Sequence, residues 1–180
     1  MAISCKLNQS VLKTNSCGYA LNSVKDLYFA NREDITEIQY DEQGAVTAVT
    51  LNESAKWSRI MPAEGSASYT DALGVIDGGG KYRTQTVSFR IASEYTTEMV
   101  DVLNALSLGE FVIVATLASG TFVLLGSEAV GLTANTANNV GAGSATEFSG
   151  MEFEMSGDLT VASAPLSDEA ITALKANVND

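Results

Sequence analysis

The sequence predicts a mainly β domain of the α+β class, with one central helix packed on the sheet and a short helix at the C-terminal end. Three observations carry this reading: repeated period-two alternation of apolar and polar residues, a single internal segment with apolar residues at helical spacing, and turn positions marked by many of the 15 glycines in a chain with only 2 prolines. With 180 residues, 46% of them apolar, one domain can bury a core that needs no disulfide or metal to hold it.

Each element follows from local pattern. Ile35 to Tyr40 and Ala45 to Leu51 alternate on either side of Asp41-Glu42-Gln43-Gly44, where Gly44 supplies the positive φ that a short hairpin connection needs. Tyr82 to Ile91 sets Val87, Phe89 and Ile91 on one face and Thr84, Thr86, Ser88 and Arg90 on the other, a half-buried strand. Met99, Val102, Leu103 and Leu106 recur at helical spacing after Ser93-Glu94, so a helix is expected over about 94–108, ended by Gly109. Phe111 to Ala118 and Thr121 to Leu125 flank Ser119-Gly120, and their unbroken apolar character predicts strands covered on both faces.

Leu132 to Thr146 is small, polar and uncharged, which reads as a long surface loop. Loops of that length are commonly functional or interfacial, which makes Asn135, Asn138 and Asn139 candidates for contact between subunits. Phe148 to Ser156 alternates Met151, Phe153 and Met155 against Glu152, Glu154 and Ser156, with Asp158 continuing the acidic side. The first set is the candidate core face and the acids the candidate solvent face. Pro165 stops strand pairing, Ser167 is a suitable N-cap, and Asp168 and Glu169 suit the helix dipole ahead of Ile171, Leu174 and Val178. The expected layout is therefore one domain with an N-terminal arm over 1–26, a β core over 27–165 and a helix in 166–180.

Charge and composition exclude several function classes. The net charge is −12, and the interval between Arg90 and Lys175 holds eleven acids and no base, so all but one unit of the excess lies there. A phosphate-gripping surface needs clustered Lys and Arg, so tight DNA or RNA binding is not expected. There is no histidine, which removes Ser-His and Cys-His nucleophilic systems. Asp77-Gly-Gly-Gly-Lys81 is followed by Tyr82 where a phosphate-binding loop needs Ser or Thr, so it reads as a turn. Glu152 and Glu154, two apart on a strand, read as a solvated face rather than a metal or acid–base pair, and Trp57 as packing rather than a stacking platform. No catalytic, metal or cofactor residue is assigned. Cys5 and Cys17 match no zinc spacing and are expected as free thiols in a reducing compartment. No apolar run approaches bilayer length, and the first residues lack a signal pattern, so folding in the cytoplasm is expected.

Taken in order, these features resemble the tail tube proteins of tailed bacteriophages, in the form carried by phages of Bacteroidetes hosts. The residues that carry the resemblance are Cys17, Asp26-Leu27-Tyr28-Phe29-Ala30-Asn31 with Asp34-Ile35, the 35–51 hairpin, and Tyr82 to Phe89 leading into the Met99 to Leu106 helix. They continue through Leu124-Leu125-Gly126, Gly131-Leu132, the Thr/Ala/Asn/Gly-rich stretch, the Glu147 to Gly157 strand and Ala164-Pro165. No single motif is diagnostic, the resemblance covers most of the chain, and the 152–158 strand is more acidic than the family pattern. It implies a β-sandwich or partial barrel whose copies form hexameric rings that stack into a tail tube in the virion, assembled in the host cytoplasm beside other tail proteins. It also implies no enzymatic activity, no cofactor, no membrane contact, and genome DNA passing through without tight binding. Glu152, Glu154 and Asp158 would then face the lumen. A tail-completion ring at one tail position, or the inner tube of a contractile injection system, shares the same expected fold.

Overall fold

The computed structural model describes residues 23–92, 96–144 and 147–179. In chain order they form β1 (Val24–Asn31), a 3-10 turn (Arg32–Asp34), β2 (Ile35–Tyr40), β3 (Val46–Leu51), β4 (Ser58–Ile60), β5 (Ser68–Val75), β6 (Lys81–Ile91), α1 (Thr97–Leu108), β7 (Glu110–Leu117), β8 (Phe122–Leu125), β9 (Leu132–Val140), β10 (Gly150–Leu159), β11 (Ala164–Pro165) and α2 (Asp168–Ala176). The architecture is mainly β with two helices, as the periodicity predicts.

Nine strands form one open antiparallel sheet, ordered β11-β8-β7-β9-β10-β6-β5, with β1 on the other side of β7 and β4 beyond β1. β7 pairs with β8 along Ile113–Thr116 but with β9 only at Glu110 and Phe111. That corner lets the sheet fold over, so β1, β7 and β8 face β6 and β10 across a shared core. The layers meet through aromatic rings. Phe29 lies 5.6 Å from Phe89 and 5.7 Å from Phe111, and Phe89 stacks on Phe153 at 5.1 Å, the separations at which ring pairs attract beyond simple burial. Met151, Phe153 and Met155 all enter this core, and α1 adds Leu106, Met99, Val102 and Leu103 to it.

The other face of β1, β7 and β8 is covered by the two-stranded β2-β3 sheet and by α2, which meet Tyr28, Val112, Val114, Phe122 and Leu124. Alternate residues of β7 thus enter different cores, and Val112, Ile113, Val114 and Ala115 are each fully buried. This is the physical origin of the unbroken apolar run. Trp57, 2% exposed, belongs to the second core, its backbone paired with Asn177 and Asn179 after α2. Gly44 takes φ 92° in the β2–β3 connection. Thr96 caps α1 by accepting from the Met99 N–H, and Ser167 caps α2 by accepting from the Ala170 N–H.

Three expectations change. The segment read as a surface loop over 132–146 is, from Leu132 to Val140, the strand β9, paired with β10 along most of its length. Its register shifts between the partners Glu154 and Met155, so Thr136 faces Glu154 while Ala134 faces Met155 and Asn135 is left as the extra residue. The bulge switches parity, placing Leu132, Ala134 and Ala137 toward the core side, and no simple alternation survives in the sequence. The boundary of the arm at residue 26 also moves, because Val24 already pairs with Leu117. The C-terminal helix stops at Ala176, and Val178 instead forms an isolated bridge with Trp57. Cys5, Cys17, Ser93 and Glu94 lie outside the described residues.

Candidate assembly surface

One face of the sheet remains without a covering layer among the described residues: the outer side of β9, β10, β6 and β5. The cross-strand registers fix its composition. Glu152 stands between Asn138 and Arg90, Glu154 between Thr136 and Ser88, and Asp158 beside Thr84, while Thr86, Ser88 and Thr84 meet Thr70, Ser68 and Ala72 of β5. The residues are almost all Ser, Thr, Asn or acid. Met151, Phe153 and Met155 point the opposite way, at 1%, 3% and 0% exposure.

The candidate acids are not equivalent. The Glu152 carboxylate is paired with the Arg90 guanidinium at 2.7 Å, and Asp158 accepts from the Thr84 hydroxyl at 2.6 Å. Glu154 is exposed. A strand that reads as purely anionic in sequence is therefore partly neutralised by its neighbour, because Arg90 is 62 positions away in sequence yet directly across in register. The candidate inter-subunit asparagines divide by the bulge: Asn138 stands opposite Glu152, Asn135 donates to the Ser156 hydroxyl at 2.6 Å, and Asn139 stands opposite the core residue Met151.

At the edge of this face, β5 is paired only with β6, and the two strands run on as an arm past the end of β10, whose last paired residue, Leu159, meets Arg83. From there outward the core-side positions of β5, Leu73 and Val75, have no sheet above them, and Ile76 follows at the turn. Leu73, Val75 and Ile76 are 57%, 64% and 56% exposed. Gly78 and Gly79, both at positive φ, close the tip, and at Gly74 a Cβ would collide with the Tyr82 ring, so glycine there is what lets the ring lie across the strand. The run Asp77 to Lys81 is thus a hairpin turn. The arm's exposed apolar side is the feature sequence reading missed; Leu73, Val75 and Ile76 lie in an apolar stretch, but only the end of β10 leaves them uncovered.

The base of the arm is anchored by polar groups. Asp71 accepts from Arg83 at 2.7 Å and from the Ser163 N–H and hydroxyl at 2.8 and 2.9 Å. Burial acts to raise its pKa, but these donors outweigh it and hold the carboxyl below its ordinary value. Gln85, fully buried, accepts from the Gly126 N–H at 2.8 Å and donates to the Val161 carbonyl at 3.2 Å. Among the described residues, no group of three or more His, Cys, Asp or Glu side chains is placed to hold a metal ion, and no helix is long and apolar enough to cross a membrane.

No family model, no curated protein and no solved structure matches the chain.

Proposed function

We propose that this chain is a self-assembling structural subunit of the phage tail-tube type, which closes into rings and stacks them into an acidic-walled conduit for DNA, without enzymatic activity. The observation that carries this reading is the arm: an edge strand, β5, whose outer edge is unpaired, with Leu73 and Val75 exposed on one face and Ile76 exposed beside the turn. An open edge with apolar side chains templates pairing with another chain, and a repeated contact between two different surfaces of one chain closes into a ring or propagates as a filament. The uncovered sheet face supports the conduit. Its Ser, Thr and Asn residues offer no cationic grip, and Glu154 and Asp158 repel phosphates at close range, with screening over about 10 Å at moderate salt.

Electron microscopy of the purified chain tests this. Rings or regular tubes are expected, and replacing Leu73, Val75 and Ile76 together by Ser, Thr and Lys should abolish them while leaving the circular dichroism spectrum intact. Long tubes favour the tube subunit and isolated rings a tail-completion ring. A chain that sediments as a monomer at every concentration, alone or with tail components, overturns the reading.

A further inference from the structure

A cleft of about 790 Å³ opens on the second-core side of the molecule, between β4, β1, β7 and β8 and the end of α2. Its floor is Tyr28, Thr116 and Phe122, and Lys25, Arg59 and Lys175 stand around it. Among the described residues all four arginines are in ion pairs within the chain, Arg32 with Glu110, Arg59 with Asp26, Arg83 with Asp71 and Arg90 with Glu152. None of the four described lysines is, and two of them, Lys25 and Lys175, face this one cleft. Asp26 also lines it, but its carboxylate is 2.9 Å from Arg59 and neutralises that charge, which leaves the two lysines as an uncompensated positive pair.

Two further observations point to a ligand. Lys175 sits with Nζ 5.1 Å from the centre of the Phe122 ring, held over the apolar floor by cation–π attraction. The Thr116 Oγ1 is buried and has no hydrogen-bond partner. Buried hydroxyls rarely stay unpaired, and one χ1 rotation exchanges this hydroxyl with its methyl group, so an anion oxygen in the cleft would give it an acceptor.

We propose that this cleft is an anion site that takes a carboxylate, and that its occupant is an acidic side chain of a second copy of this chain. The identification of the occupant rests on the assembly reading above. Its warrant is charge complementarity: eleven acids and no base lie between Arg90 and Lys175, and none of those acids lines the cleft. The cationic cleft and the acidic surface are therefore different surfaces, and their contact is heterologous, the kind that builds rings and stacks. An aromatic floor suits the apolar stem of a glutamate with its carboxylate between the lysines.

The test uses glutarate as the free carboxylate and the full chain. Glutarate should shift the Thr116 methyl resonance saturably, with affinity lowered roughly tenfold by Lys25→Gln with Lys175→Gln and retained by the double Lys→Arg variant. In sedimentation the Gln variant should need roughly tenfold more protein to associate, and glutarate should weaken wild-type association. Absence of a saturable shift overturns the anion site. Glutarate binding with association unchanged in the Gln variant overturns the second copy as occupant. A wild-type chain that never associates overturns the assembly reading and that occupant together, while the glutarate arm still decides the site.

Discussion

Asp71 and Gln85 each tie three segments together with one side chain. Replacing Gln85 by Leu leaves the buried Gly126 N–H and the part-buried Val161 carbonyl without this partner, and a buried unsatisfied group costs about 1–3 kcal/mol. Urea denaturation should show a lower midpoint with an unchanged slope. Asp71→Asn removes the charge that Arg83 and Ser163 surround and should lower stability at pH 7 by about 1–3 kcal/mol. The pH dependence has a defined sign. A carboxyl held below its ordinary value of 3.8 stabilises the fold fully above that value and loses the contribution as pH falls through its depressed one. Thermal melts at pH 7 and pH 3 should therefore differ less for Asp71→Asn than for the unchanged chain. Neither role is visible in sequence, where Gln85 sits on a strand of alternating residues and nothing marks its partners 41 and 76 positions away.

Among the elements, legibility followed the regularity of the pairing. β6, β7, β8 and β10 keep a constant parity against their core over most of their length, so period-two alternation or a doubly covered apolar run reveals them, whereas β2 and β3, whose pairing shifts register twice, are marked by the Gly44 turn between them. Phe153 is the clearest case, stacked on Phe89 between two methionines of the same face. Phe153→Ala should cost about 3–5 kcal/mol, since the rings on both layers cannot close over the space, and calorimetry on the variant checks it. β9 escaped because the bulge at Asn135 changes which parity faces inward, and because its hydrogen bonds are supplied by β10 rather than by any strand propensity in Thr-Ala-Asn. β4 and β5 escaped for related reasons: one is three residues long, and the other is an edge strand whose far half has no core to alternate against.

At the scale of the whole molecule, the acidic strand and the arm bear on assembly. If Glu152, Glu154 and Asp158 line a channel, replacing all three by Lys reverses the local field and places new cations beside Arg90, now without its Glu152 partner. DNA should then be retained by assembled tubes in filter binding, with retention falling steeply as salt rises, and ejection should slow. Normal assembly with unchanged ejection at low salt would place these acids elsewhere on the tube. Charge at this scale is a sum over strands, so Arg90 enters the arithmetic although it lies outside the segment that looks so acidic in sequence.

The sequence by itself determined the β-rich class, the two helices and the Ser167 cap of the second, the buried face of β10 and the doubly covered β7, because all of these are set by local periodicity and capping chemistry. Tertiary structure alone decided what depends on distant partners. It made a strand of the 132–140 segment, paired Arg90 with Glu152, clamped the β8–β9 turn with Gln85, left the Leu73–Ile76 arm uncovered and brought Lys25 and Lys175 to one cleft across 150 residues of chain. The physical reason is common to them all: a local pattern records which side of a residue is buried, whereas register and layer order fix what lies across from it.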